Sequence, residues 1–109
     1  LYLGKNKISS IEIDSFINLN KLKTLELNDN CLFKLDKNMF KSLTRLSNLN
    51  LNNNLLKSFD ISILFRFQQF KIKKLNLSNN RLEEVKLFEN SLNNLEIFDL
   101  SLNSLLKHI

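Results

Sequence analysis

The side chains in this chain that could do chemistry are few, and they are poorly spaced for it. A metal site needs three or four His, Cys or carboxylate ligands that converge, and His108 stands alone near the last residue. Cys31 is the one cysteine, so no disulfide can form within the chain. Its place between Asn30 and Leu32 reads as a buried or half-buried free thiol. Glu83 and Glu84 are neighbours in sequence and read as a solvated turn rather than an acid/base pair. With Gly4 as the one glycine, there is neither a glycine-flanked nucleophilic serine nor a glycine-rich phosphate loop. Lys71, Lys73 and Lys74 make the one tight basic cluster, interrupted by Ile72, an expected core residue. Asn76-Leu77-Ser78 is an N-glycosylation sequon. About two sequons would arise by chance in a chain this rich in Asn, Ser and Thr, so it carries little information. The expectation is no enzyme: no catalytic residue, no metal and no cofactor.

Composition points to a packed domain of an unusual kind. The chain has 109 residues and a mass of 12.8 kDa, enough for one modest core. With 43% hydrophobic and 25% charged residues it has the ordinary globular mix, which excludes a disordered tail. No apolar run approaches the length of a membrane span. The net charge of +5 favours solubility and weak anion attraction, but nucleic-acid binding needs a clustered patch. There are 25 Leu and 18 Asn, with no Pro, Ala or Trp. Tight turns normally use Gly and Pro, so Asn must turn the chain here. The same bias fits an A+T-rich gene, which reading the coding sequence would test. No signal peptide, targeting segment or lipidation motif is visible, and Leu1 falls inside a pattern, so the chain reads as an internal piece of something longer.

The elements that would position any site come from an internal repeat. Five segments align: LYLGKNKI (1 to 8), LKTLELNDNCL (22 to 32), LSNLNLNNNLL (46 to 56), IKKLNLSNNRL (72 to 82) and LEIFDLSLNSL (95 to 105). Each carries L-x-x-L-x-L-x-x-N-x-L, the first cut short at its start. Asn6, Asn30, Asn54, Asn80 and Asn103 hold the Asn position, at steps of 24, 24, 26 and 23 residues. Between them, Ile11, Phe16 and Leu19 recur as Leu35, Phe40 and Leu43 at identical offsets. The third linking segment is longer and offers Leu64, Phe67 and Phe70, and the fourth offers Phe88 and Leu92.

This pattern resembles the leucine-rich repeat family over nearly the whole chain. The F-x-x-L element resembles its 24-residue "typical" class, common in receptors and matrix proteins. The resemblance implies an α/β fold: a right-handed, curved solenoid with parallel strands on the concave face and irregular or short helical convex arcs. The residues lead to the same architecture. In each L-x-L pair, such as Leu25 with Leu27, period two points both side chains to one face, which only a stacked neighbour can bury. Parallel strands require a crossover of about a dozen residues, and such crossovers are right-handed. Each aligned Asn would bond backbone groups left off the ladder where the chain bends. One domain is expected over 1–109, with repeats 1–21 (partial), 22–45, 46–71, 72–94 and 95–109 (partial) and no capping repeats. Its apolar ends favour end-to-end association of the isolated segment.

Function, by the resemblance, is a protein–protein interaction module in a receptor or adhesion ectodomain at the cell surface. The alternative is a cytoplasmic scaffold that regulates or targets an enzyme domain outside this segment. The face that would meet a partner carries the residues between the core leucines: Tyr2; Thr24, Glu26 and Asn28; Asn48, Asn50 and Asn52; Lys74, Asn76 and Ser78; Ile97, Asp99 and Ser101. With Lys5 and Asp29 added, this face sums to −1, so the basic excess lies elsewhere. That argues against nucleic acid and for a protein or glycan bound through amides and hydroxyls.

Overall fold

A computed structural model describes residues 1–65, 72–87 and 95–107. The first member of each L-x-L pair is the central residue of a short strand, buried in β1 (Thr24–Glu26), β2 (Asn48–Asn50) and β4 (Lys74–Asn76) and half-buried in β6 (Ile97–Asp99). They form one parallel sheet in the order β1-β2-β4-β6, with Leu25, Leu49, Leu75 and Phe98 in register. Tyr2 extends it through a parallel bridge to Glu26. Five coils therefore stack through four inter-strand steps. At about 4.8 Å each that is roughly 19 Å, and the molecule measures 35 × 34 × 20 Å. Chain elements that repeat along one axis, each bonded to the coil before it, make a solenoid.

The core is the stack of leucines on the far side of the strands. Leu25, Leu27, Leu49, Leu51, Leu75 and Leu77 are all buried, with Leu32, Leu56 and Leu82 behind the bend. The return segments close it. Phe16 and Phe40 fall at the same place in successive coils and stack, ring centroids 6.5 Å apart and planes 11° from parallel. Leu43 and Leu64 are buried, but Leu19 is exposed, because no coil covers the first return segment. Phe98 and Leu100 are half-buried for the same reason at the other end. Phe67, Phe70, Phe88, Leu92, Lys71, His108 and Ile109 lie outside the described residues.

The helical part of the expected α/β fold is nearly absent among the described residues. Turns such as Ser15 N–H to Glu12 O (3.0 Å) and Met39 N–H to Asp36 O (3.2 Å) carry the chain back. The one helix described is the four-residue α1 (Ser62–Phe65). Instead there is a second parallel sheet, β3 (Ser58–Asp60) with β5 (Glu84–Lys86). Glu84 thus begins a strand rather than sitting in a turn; its side chain is exposed while Val85 is buried beside Phe59.

Candidate functional site

The sheet face is built by the bend that follows each strand. Leu27 N–H bonds Asn50 O (2.9 Å), Leu51 N–H bonds Asn76 O (2.8 Å) and Leu77 N–H bonds Asp99 O (2.8 Å), so pairing outlasts the strands themselves. A side-chain turn then bends the chain: Asn50, Asn76 and Asp99 each accept through Oδ1 from the N–H two residues on, at 2.9–3.0 Å. The last residue of the bend is left-handed in every coil: Lys5, Asp29, Asn53, Asn79 and Leu102, with φ between 52° and 58°. Asn or Asp, which tolerate that conformation, fill three of the five positions, so the chain turns there without glycine.

The next residue is the aligned Asn. Asn30, Asn54, Asn80 and Asn103 are buried and bond alike. The Oδ1 of each accepts an N–H of the coil before it: Ile8, Leu32, Leu56 and Leu82, at 2.9–3.1 Å. The Nδ2 of each donates both to its own coil and to the previous one, as Asn54 does to Leu51 O (3.1 Å) and Leu27 O (3.0 Å). Asn6 departs from the expectation. It is exposed and donates to Leu3 O and Gly4 O of its own coil.

The residues expected to meet a partner do share one face, but many already bond one another. Asn50 Nδ2 donates to Glu26 Oε2 (2.8 Å), and Asn52 Nδ2 donates to Ser78 Oγ (2.6 Å). Ser78 Oγ donates to Asn76 Oδ1 (2.6 Å). Ser78 is therefore buried rather than presented, since its short side chain lies beneath the Asn52 amide. Along the left-handed positions, Asn79 Nδ2 donates to Asn53 Oδ1 (3.1 Å) and Asn53 Nδ2 to Asp29 Oδ1 (2.6 Å). Asp29 Oδ2 accepts from Asn28 Nδ2 (2.7 Å). The amide of Asn53, helped by that of Asn28, holds the Asp29 carboxyl below the usual carboxylate range. Hydrogen bonds from Ser101, through its side chain and then its backbone, do the same for Asp99. The run of Asn residues is thus in good part structural. A Cβ at Gly4 would lie 2.7 Å from Asn28 Oδ1, so the Asn28 side chain would have to shift to admit one.

The rest of the face is open. Tyr2 is 79% exposed and Ile97 is 52% exposed, and Lys74 is exposed between them. Thr24 and Asn48 are half-buried, and Ser101 is exposed at the last bend. A shallow depression of about 300 Å³ lies over β2 and β4, walled by Glu26, Asn48, Asn50, Lys74, Asn76 and Ile97. Among the described residues no group of three or more His, Cys, Asp or Glu is placed to hold a metal ion. Cys31 is exposed, not buried, because the position between the aligned Asn and the following Leu faces outward. Ile72 is buried between exposed Lys73 and Lys74, as its place in the repeat requires. No helix among the described residues is long and apolar enough to cross a membrane.

No curated protein sequence matches the chain. The leucine rich repeat family profile matches residues 1–56, which include the left-handed bends at Lys5, Asp29 and Asn53 and the buried Asn30 and Asn54. Domains of this kind generally mediate protein–protein interaction. With the family pattern matched over half its length and the same strand, bend and Asn carried through the remaining coils, the chain belongs to the leucine-rich repeat family.

Proposed function

We propose that the sheet face is a protein-recognition surface within a larger receptor or adhesion ectodomain, at the cell surface, and that the chain performs no catalysis. The observation that carries the reading is the exposed pair Lys74 and Ile97, in register on adjoining strands at the depression over β2 and β4, with exposed Tyr2 on the same face at the first coil. Neighbouring rungs about 4.8 Å apart offer a partner a regular array of amides and carboxylates. Assignment to the 24-residue class, from the Phe16 and Phe40 segments, favours the receptor over a cytoplasmic scaffold. Right-handed winding with this sheet on the concave side belongs to the same proposal, as do a glycan component of the ligand and end-to-end association of isolated segments.

A photoreactive residue in place of Lys74, compared with one in place of Lys41 on a return segment, tests the face. Partner adducts should form from position 74 and not from 41. The reverse pattern would remove the sheet face as the site. Surface biotinylation of cells that express the full-length chain tests the compartment, and labelling confined to lysed cells would select the scaffold.

A further inference from the structure

The stacking of coils is not uniform on the side away from the main sheet. Between the third and fourth coils pairing continues past the aligned Asn: Arg81 N–H to Leu56 O (2.9 Å), Glu83 N–H to Lys57 O (2.9 Å), the β3–β5 ladder, and Ile61 N–H to Lys86 O (3.0 Å). Between the second and third coils it stops at Leu55 N–H to Leu32 O (2.7 Å). Among the described residues no strand pairs with the other edge of β3. In a parallel ladder alternate residues bond alternate neighbours. With Ile61 turned toward β5, the N–H and C=O of Ser58 and Asp60 face the open edge.

Where the second coil parts from β3 it leaves a cleft of about 280 Å³ between Phe33–Lys37 and Ser58–Ile63. Its apolar lining includes Phe59 and Ile63, both nearly buried, and half-buried Leu35. Phe33 is 57% exposed at its side. Lys34, Lys37 and Asp60 give the lining a net charge of +1. Lys34 and Lys37 are exposed along one wall, whereas Asp60 Oδ1 on the other wall already accepts from Ser62 N–H (2.9 Å). A free strand edge, an apolar slot beside it and two exposed lysines that outnumber the one carboxylate are the parts of a strand-addition site: main-chain bonds supply affinity, and the slot and charges supply specificity.

We propose that the open edge of β3 and the Phe33 cleft form a second binding site, distinct from the sheet face, for an extended acidic peptide carrying an apolar side chain. The peptide lies along Ser58–Asp60, its apolar side chain packs on Phe33 and Leu35, and its carboxylates meet Lys34 and Lys37.

The test uses a fluorescein-labelled heptapeptide with a central phenylalanine and three glutamates on either side, titrated by fluorescence anisotropy, and the same peptide with lysines in place of the glutamates. The acidic peptide should saturate with a dissociation constant below about 1 mM, and the basic one should not. Phe33→Ala, and Lys34→Glu combined with Lys37→Glu, should each weaken binding about tenfold or more. The double reversal should also gain affinity for the basic peptide. On the unaltered chain, amide NMR shifts on adding the acidic peptide should centre on Ser58, Phe59 and Asp60. The proposal is overturned by absence of saturation, by binding indifferent to these substitutions, or by shifts centred on Glu26, Asn50 and Lys74, which would place the peptide on the sheet face instead.

Discussion

Asn54→Ala is the sharpest test of how the coils are held together. Asn54 Oδ1 accepts the Leu32 N–H at 2.9 Å, and its Nδ2 donates to Leu27 O and Leu51 O. The three partners do not suffer equally. Leu27 O keeps the Asn30 amide at 3.1 Å and Leu51 O keeps the Asn80 amide at 3.0 Å, since each carbonyl accepts from two rungs. Leu32 N–H keeps nothing comparable, and it is buried. An orphaned buried donor costs about 1–3 kcal/mol, and two further bonds whose acceptors stay satisfied add about 0.5 kcal/mol each. The expected loss is about 2–4 kcal/mol in urea unfolding of the 109-residue chain, followed by far-ultraviolet circular dichroism. Asn54→Asp should be worse than Ala at neutral pH. It keeps the acceptor for Leu32 but turns a buried carboxylate on two carbonyl oxygens. Asn6→Ala is the internal control: its amide is exposed and bonds only its own coil, so less than about 1 kcal/mol should be lost. An Asn54→Ala chain within 0.5 kcal/mol of the parent (about the noise of a surface substitution), or an Asn6→Ala chain as damaged as it, would refute the account of the ladder.

Other substitutions probe different parts of the same structure. Leu102 occupies the left-handed bend with φ 57° and is 74% exposed, so Leu102→Asn relieves backbone strain at little cost in burial. It should stabilise by about 1 kcal/mol, read as a higher urea midpoint. Because the Asp29 and Asp99 carboxyls titrate below their usual value of 3.8 when folded, their contribution is full above that pH and is lost as pH falls through the lower folded values. Asp29→Asn should therefore flatten the acid limb of a stability-against-pH curve, and an unchanged limb would show that the bonds from Asn53 and Asn28 do not persist in solution. Phe40→Ala should cost about 3–5 kcal/mol, because Phe40 is fully buried against Phe16 and between adjoining coils. A loss below 1 kcal/mol would mean that the return segments do not pack as a stack.

Much of the architecture was legible in the residues. The L-x-L pairs predict the strands and their buried face, and the pairs of the three middle coils lie in the core. Four of the five aligned Asn residues make the bonds expected of them; Asn6 does not. The sheet face was legible as a set of positions but not as a set of available groups. Ser78, Asn52 and Asn50 were readable as outward-pointing, yet their polar atoms meet across coils 24 or 26 residues apart. One signal for this was present: Asn-x-Asn and Asn-x-Ser at the bend, the signature of a side chain bonding the N–H two residues on.

By itself, then, the sequence determined period, phase and burial, because a repeated L-x-x-L-x-L-x-x-N-x-L can cover its apolar side only by stacking on a copy of itself. Tertiary structure alone decided what depends on the neighbouring coil. It set which amides are spent on one another, that Cys31 faces outward, and that Leu19 goes uncovered while Leu43 is buried. It also decided that pairing runs on through β3 and β5 yet halts at Leu32, which leaves one strand edge open. The physical reason is that a single coil encodes its own conformation locally, whereas which groups are covered, bonded or left open depends on how that coil fits its neighbours.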